Sequence, residues 1–169
     1  MTGGTDILFT RIPNLRSLIE LIKPVTWFPP MWAFLCGTVS TGGLKAENLL
    51  LIVAGLFLSG PLVCGMSQAV NDWCDRHVDA INQPERPIPS GRVSEKWGLR
   101  VGVFMSIVSL AFAYSIDHLV FIATLVGVLC AWIYSIEPIR LKKSAFFGPG
   151  IVAICYEGLP WFTGAAIFS

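Results

Sequence analysis

The stretch from Val70 to Arg92 reads V-N-D-W-C-D-R-H-V-D-A-I-N-Q-P-E-R-P-I-P-S-G-R and separates two strongly apolar segments. Its oxygen-bearing side chains recur at helical spacing, with Asp72, Asp75 and Asp79 at i, i+3 and i+7. Asn71 stands four residues before Asp75, so on a helix we expect all four side chains to converge on one face. Oxygen ligands suit Mg²⁺, which usually completes its shell with water and substrate phosphates. The sequence therefore predicts Asn71, Asp72, Asp75 and Asp79 as metal ligands.

Basic residues lie inside this acidic row and just after it. Arg76, Arg86 and Arg92 offer planar guanidinium groups that bind phosphate oxygens in pairs. The segment R-P-I-P-S-G (86–91) cannot continue a helix, and it favours a stiff return of the chain over the carboxylates. We therefore expect a Mg²⁺–diphosphate site at the end of a membrane helix. An ordinary charged loop between two spans is the alternative that spacing alone leaves open.

Two segments carry a resemblance to a known family. The pattern N-D-x-x-D-x-x-x-D (71–79), followed by N-x-P-x-R-P-I-P-S-G (82–91), resembles the first aspartate-rich motif of the UbiA-type intramembrane prenyltransferases. The segment P-V-T-W-F-P-P-M-W-A-F (24–34) resembles the chlorophyll and bacteriochlorophyll synthase branch of that superfamily. The resemblance extends over essentially the whole chain.

This resemblance implies an all-α, multi-span bundle and a Mg²⁺-dependent transfer reaction. A geranylgeranyl or phytyl diphosphate would esterify the propionate of a (bacterio)chlorophyllide, in the last step of pigment synthesis, with other pigment-biosynthesis enzymes as candidate partners. Asp75, Asp79 and Arg86 would be the catalytic residues. The resemblance also places Lys142 and Lys143 near the diphosphate.

The family carries a second aspartate-rich motif in a later loop, and this sequence contains none. We therefore expect residues 1–169 to be the N-terminal portion of one membrane-embedded domain, and to be inactive alone.

The composition indicates a chain that is embedded in a lipid bilayer. Hydrophobic residues make up 54% of the chain and charged residues 14%, with a mean hydropathy of +0.66. Soluble domains carry about 25% charged residues. The net charge of +1 argues against a nucleic-acid partner.

Five apolar segments are candidate membrane spans. They lie at about 24–39, 49–70, 97–116, 119–136 and 146–169. We expect Asn14 and Ser94 to cap helices, Pro29-Pro30 to kink the first span and Gly60-Pro61 to break the second.

The basic residues are distributed unevenly between the two sides of the membrane. Of the 12 Lys and Arg residues, only Lys45 falls in an outer loop if the N-terminus lies inside. The positive-inside rule then places the N-terminus and the active site on the cytoplasmic side of a cytoplasmic or photosynthetic membrane.

Four residues in apolar segments are candidates for the substrate pocket. Trp27 and Trp32 either line a site for a flat ring or anchor the chain at the membrane interface. Tyr156 and Glu157 lie inside the fifth span, where a charged side chain is costly and usually faces a cavity or a partner. Glu157 could be a protonated packing residue, a donor to a substrate, or a base.

Two other functions remain open at this point. A prenyltransferase of the same type could act on a quinone precursor or a glycerol-phosphate lipid. A multi-span cation transporter or membrane assembly protein is the alternative of another class, although it leaves the three arginines and the Pro/Gly return unexplained.

Overall fold

The computed structural model describes residues 12–169, which are helical apart from short connections, with no strand in that range. The predicted all-α fold class is confirmed. The α-helices are α1 (Leu15–Ile22), α2 (Phe28–Ser40), α3 (Leu49–Phe57), α4 (Gly65–Asn82), α5 (Glu95–Ile116), α6 (His118–Ser135), α7 (Phe147–Ala153) and α8 (Leu159–Ala166).

One continuous helical rod carries the acidic motif. A π-helical segment, Leu58–Cys64, joins α3 to α4, so that the rod runs from Ala46 to Asn82 over 37 residues. We expected Gly60-Pro61 to break this span. The wider π-turn instead accommodates Pro61, which has no N–H to donate, and the helix continues to the last aspartate.

Three of the five predicted spans are single helices long and apolar enough to cross a membrane, namely Ala46–Asn82, Glu95–Ile116 and His118–Ser135. The other two predicted spans are built from shorter pieces. Helix α2 has 13 residues, and α7 joins α8 through a second π-helical segment, Ile154–Gly158.

The predicted kink at Pro29-Pro30 is wrong in its position. The chain breaks earlier, between the end of α1 at Ile22 and the start of α2 at Phe28. The two prolines then fall in the first turn of α2, where a missing N–H removes no helical hydrogen bond. The predicted caps are confirmed, since Asn14 accepts from the Ser17 N–H at 2.8 Å and Ser94 from the Trp97 N–H at 3.4 Å.

Close helix packing brings the acidic end of α4 beside two basic connections. Met66 and Val70 of α4 pack against Val128 of α6, and on another face of α4 Ala69 packs against Leu21 of α1. The α1–α2 connection and the loop after α6 therefore meet at the end of α4. On the outside, apolar side chains such as Leu50 and Phe104 are exposed, as a lipid-facing surface requires.

Helices α2 and α8 approach each other through glycines. A Cβ atom on Gly164 would lie 2.1 Å from the Phe34 carbonyl oxygen, and one on Gly37 would lie 2.0 Å from the Trp161 carbonyl oxygen. Both obstacles are backbone atoms, so a side chain at either position forces the two helices apart.

We expect Gly164→Ala to lower the free energy of unfolding by about 1–3 kcal/mol through this overpacking. Alanine is the better helix former by about 1 kcal/mol, so the sign of the change tests the contact. Unfolding by SDS in mixed micelles, followed by tryptophan fluorescence, measures it. Gly150→Ala is the matched control, because nothing lies within 4 Å of its added Cβ. Equal midpoints for the two variants would contradict the close contact.

Candidate functional site

The candidate site lies where four segments meet at one end of the bundle. The last three turns of α4 supply the aspartates, and the return at 83–93 supplies Arg86. Lys23 comes from the α1–α2 connection, and Arg140 and Lys142 come from the loop after α6.

Asp72 is the buried centre of the first half of the site, with 1% of its surface exposed. It accepts from Lys23 Nζ at 2.6 Å and from Arg86 Nη1 at 3.1 Å. The same Arg86 Nη1 donates to Asp79 at 2.7 Å. Arg86 therefore bridges two carboxylates that are two helical turns apart, and the return of the chain folds over them as the prolines predicted.

Asp75 forms the second half of the site with the loop after α6. One carboxylate oxygen accepts from Arg140 Nη2 at 2.6 Å, and the other pairs with Lys142. Lys143 points away and pairs with Glu137 at 2.9 Å. Hydrogen bonds from Arg140 and Lys143 hold the pKa of Glu137 below its ordinary value.

The four oxygen-bearing side chains lie within about 100° of one another around α4, as their spacing predicts, but they contact different partners. Among residues 12–169, no three acidic, His or Cys side chains come together as a metal cluster. Positions i and i+7 are nearly eclipsed on a helix, whereas i+3 is rotated by about 60°, so Asp75 turns toward a different neighbour from Asp72 and Asp79. Asn71 lies on the far side of Asp75 from Asp72, about 40° further round the helix, and donates to Ser135 Oγ of α6 at 3.2 Å.

Arg76 and Arg92, both predicted to bind diphosphate, lie outside this cluster. The Arg76 guanidinium stacks on the Trp73 ring at 4.8 Å and donates to Glu95 at 2.9 Å. Arg92 forms a bidentate ion pair with Glu20 of α1, in which Nη2 lies 2.7 Å from Oε1. This pair keeps the pKa of Glu20 below its ordinary value. In this arrangement the two arginines tie helices together, and diphosphate binding by them stays a prediction.

Two basic residues of the site were missed in the sequence. Lys23 and Arg140 both adopt a left-handed backbone, with φ of 44° and 39°, which non-glycine residues rarely accept. Such conformations cost about 1–3 kcal/mol each and cluster at functional sites. Two signals were available. Lys23 precedes a proline, where a helix normally ends, and Arg140 lies two residues before Lys142, which the resemblance placed near the diphosphate.

The cluster carries more positive than negative charge. The ion-paired acids are Asp72, Asp75, Asp79 and Glu137, and the bases are Lys23, Arg86, Arg140, Lys142 and Lys143. Four carboxylates against five cations leave a net charge of one positive. Such a site is suited to an anion, whose oxygens can replace carboxylates as partners of the basic groups.

The donor chemistry of the acidic residues fits Mg²⁺. The ligands available are all oxygen atoms, and Asp72 Oδ2 is buried without a hydrogen-bond partner in the described part of the chain. The Asn71 amide donates to Ser135 through its nitrogen, which leaves the Asn71 amide oxygen facing away from Ser135. The four predicted ligands thus remain a prediction that the chemistry of the site supports.

A cavity of about 280 Å³ begins beside this cluster and continues into the bundle between α4, α6 and the segment 147–166. Asn71 and Ser135 stand at its polar end. Deeper in the bundle its lining is mostly apolar, and the polar side chains there include Gln68, Tyr134, Tyr156 and the hydroxyl groups of Ser59, Ser67, Thr124 and Thr163. The net-positive cluster therefore lies close to a mostly apolar chamber.

Only one of the four residues predicted for the substrate pocket lines this cavity. Tyr156 does so. Trp27 instead donates through its ring nitrogen to the Ile22 carbonyl at 2.9 Å and fixes the α1–α2 connection. Trp32 and Glu157 line a separate, open depression on the outside of the bundle. The Trp32 ring is 56% exposed, which agrees with the interface alternative.

We expect Lys23→Met to lower the free energy of unfolding by about 1–3 kcal/mol, because it removes one partner of a buried carboxylate. Lys45→Met is the matched control, since the exposed Lys45–Glu47 pair spans 3.9 Å and should contribute about 0–1 kcal/mol. SDS unfolding midpoints compare the two. Equal effects would show that Lys23 is not held against Asp72.

Comparison with known proteins gives a consistent result. The model of the UbiA prenyltransferase family matches residues 26–169. The chain is 60% identical to the bacteriochlorophyll synthase 33 kDa chain of Cereibacter sphaeroides, over 94% of this chain and 52% of that protein. It is 37% identical to the chloroplastic chlorophyll synthase of Avena sativa, over 94% of this chain and 44% of that protein. The chain spans about half the length of these relatives.

Solved structures share the fold. A digeranylgeranylglyceryl phosphate synthase superposes with a TM-score of 0.82 at 22% identity, covering 92% of this chain and 53% of that one. A UbiA homolog from Archaeoglobus fulgidus, bound to GPP and Mg²⁺, superposes with a TM-score of 0.77 at 24% identity, covering 89% of this chain and 53% of that one. The family match over most of the chain, on an all-helical membrane fold, shows that the chain belongs to the UbiA prenyltransferase family.

Proposed function

We propose that this chain forms the diphosphate-binding half of an enzyme that esterifies the propionate of a (bacterio)chlorophyllide with geranylgeranyl or phytyl diphosphate. The observation that carries the proposal is a net-positive, ion-paired cluster on the same end of α4 as Asn71, which lines the polar end of a mostly apolar cavity. A prenyl diphosphate has the same two parts, an anionic head and an apolar tail. The 60% identity to a bacteriochlorophyll synthase chain supports the pigment acceptor.

Binding of the diphosphate exchanges one set of ion pairs for another. Arg86 and Lys142 hold carboxylates of α4 and can turn to phosphate oxygens without leaving the cluster. Lys23 and Arg140, fixed by their backbone conformation, supply further positive charge at the same place. Asn71, Asp72, Asp75 and Asp79 would hold Mg²⁺, which supplies charge neutralisation to the leaving diphosphate when bound.

The reaction needs no protein nucleophile. A propionate oxygen of the acceptor forms a bond to C1 of the prenyl group while the bond from C1 to the diphosphate oxygen breaks. The electron pair of the broken bond leaves with the diphosphate, and no proton is transferred because the propionate is already ionised. The basic residues stabilise the negative charge that develops on the leaving group, and the apolar lining keeps water from the allylic cation.

The cavity within residues 12–169 is small for both substrates. Its volume of about 280 Å³ is just below the lower end of the usual range for ligand pockets, roughly 300–1,000 Å³. We therefore propose that the described residues enclose the reacting ends of the substrates and that the remainder of a longer domain covers their larger parts.

A second acceptor class has its own support. The chain is 31% identical to a digeranylgeranylglyceryl phosphate synthase of Thermococcus sibiricus, over 91% of this chain and 53% of that protein. A glycerol-phosphate lipid is therefore the alternative acceptor, at lower sequence similarity than the pigment synthases. The excess of basic over acidic groups at the site disfavours the cation transporter considered from the sequence.

The protein is a membrane protein, and we propose that the site faces the cytoplasm of a cytoplasmic or photosynthetic membrane. Within residues 12–169, the basic residues of the site stand at the end of the bundle that holds nearly all Lys and Arg residues, and the opposite end carries Lys45 alone. This asymmetry supports the orientation by the positive-inside rule.

A chimaera tests the proposed reaction. Residues 1–169 replace the matching half of the Cereibacter sphaeroides bacteriochlorophyll synthase chain, and membranes receive bacteriochlorophyllide, geranylgeranyl diphosphate and Mg²⁺. We expect the pigment ester, detected by chromatography, and none from residues 1–169 expressed alone, since half a site should not hold the diphosphate from both sides. The unaltered relative is the positive control. An active short chain would contradict the half-site proposal, and a product only with a glycerol-phosphate acceptor would contradict the pigment assignment.

In the same chimaera, Asp75→Asn and Asp79→Asn should each lower kcat/KM about 100-fold or more, through loss of roughly 3 kcal/mol of transition-state stabilisation. Asp117→Asn is the matched control, because Asp117 caps α6 at the opposite end and asparagine caps equally well. Near-normal turnover of either site variant at saturating Mg²⁺ would contradict the metal assignment.

Arg86→Lys should impair turnover less than Arg86→Ala, yet measurably, because an ammonium group cannot bridge two acceptors in one plane. Steady-state kinetics of the two chimaera variants compare them. Equal activity of Arg86→Lys and the parent would show that the bridging geometry is unimportant.

A further inference from the structure

The cavity contains a second polar feature, deeper than the ionic cluster and unused by the mechanism above. Gln68 of α4 donates through Nε2 to the Tyr156 hydroxyl oxygen at 2.7 Å. We propose that this Gln68–Tyr156 pair positions the acceptor by donating hydrogen bonds to its carboxylate. The proposal rests on the proposed function and narrows it to an acceptor that reacts through an ionised carboxylate.

The pair has donors left over for a ligand. The Tyr156 oxygen already accepts from Gln68, and Cys64 Sγ lies 3.7 Å from it. Cys64 in turn donates to the Thr26 carbonyl at 3.3 Å. A tyrosine hydroxyl has one proton to donate, and the glutamine amide has a second N–H. Both residues line the cavity, so these donors are available to a molecule inside it.

The local backbone places this pair unusually. One π-helical segment, Ile154–Gly158, contains Tyr156, and the other, Leu58–Cys64, ends on Cys64, whose Sγ lies 3.7 Å from the Tyr156 hydroxyl. Isolated π-turns inside α-helices occur frequently at functional sites. Polar side chains inside a membrane bundle are costly, so a cluster assembled by two such irregularities points to use by a ligand.

The distance from the ionic cluster matches the size of the reacting group. Gln68 precedes Asn71 by three residues and Asp75 by seven, which is about 4.5 Å and 10 Å along the helix axis. A diphosphate bound at Asp75 and its basic partners directs C1 into the cavity. The carbon then lies between the leaving group and the Gln68–Tyr156 pair, as an attack from the side opposite the leaving group requires.

The lining of the cavity also selects the kind of nucleophile. Among the described residues that line it there is no Asp, Glu, His or Lys. A hydroxyl or phenol acceptor needs a base to take its proton, whereas a carboxylate needs none. Neutral donors also leave a carboxylate more nucleophilic than an arginine pair would, because charge-assisted hydrogen bonds are roughly twice as strong. The Gln68–Tyr156 pair can therefore bind the acceptor without greatly lowering the nucleophilicity of its carboxylate.

The test uses the chimaera described above. Tyr156→Phe removes one hydroxyl, and Gln68→Leu removes the amide. Each should raise KM for bacteriochlorophyllide about tenfold or more while KM for geranylgeranyl diphosphate stays within about twofold. Tyr114→Phe is the matched control, because Tyr114 is exposed on the outside of the bundle.

A binding measurement separates positioning from mere structure. Fluorescence titration of the detergent-solubilised chimaera with bacteriochlorophyllide, and with its methyl ester, gives two dissociation constants. The parent should prefer the free acid, and Tyr156→Phe should lose that preference with an unchanged SDS unfolding midpoint. An unchanged preference, or an equal rise of both KM values with a lowered midpoint, overturns the inference. A parent chimaera that makes no pigment ester overturns the proposed function instead.

Discussion

A buried carboxylate that needs partners organises this end of the molecule. Asp72 is almost completely enclosed, and a charge taken out of water is stable only when it is paired and hydrogen-bonded. Its partners come from two distant parts of the chain, 49 residues before it and 14 residues after it. Satisfying this one group therefore fixes the α1–α2 connection, the proline-rich return and the end of α4 relative to one another.

Two strained backbone positions also lie at this site. Lys23 and Arg140 each combine a left-handed backbone with a basic side chain that pairs with an aspartate of α4. The two residues act on different aspartates, so the site is held from both flanks. A site with its charged groups fixed before substrate arrives has less reorganisation to complete during the reaction.

The sequence predicted most of the fold, and it singled out the aspartates, Arg86 and Lys142 of the ion-paired cluster. Hydropathy predicted the main helices, and Asn14 and Ser94 predicted where two helices begin, because caps and apolar runs are local properties of the sequence. The position of Arg86 over the carboxylates was predicted from the proline-rich segment 86–91, which cannot continue the helix. Lys23 and Arg140 were missed because their roles depend on contacts 49 and 65 residues away. Arg76 and Arg92 were predicted to bind the diphosphate because they lie close to the aspartates in sequence. In the structure, Arg76 pairs with Glu95 and Arg92 pairs with Glu20.

The length of the rod that carries the acidic motif sets the depth at which the chemistry takes place. At 1.5 Å per residue, the 37 residues from Ala46 to Asn82 extend about 55 Å, well beyond the ~30 Å hydrocarbon layer of a bilayer. The apolar part of the rod, from Leu49 to Val70, is about 33 Å long and fits that layer, so the last three turns, with the aspartates, extend past it. In the proposed reaction, a water-soluble pyrophosphate would leave outward from such a position and a lipid-like ester would leave sideways into the membrane, so neither product would cross the path of the other.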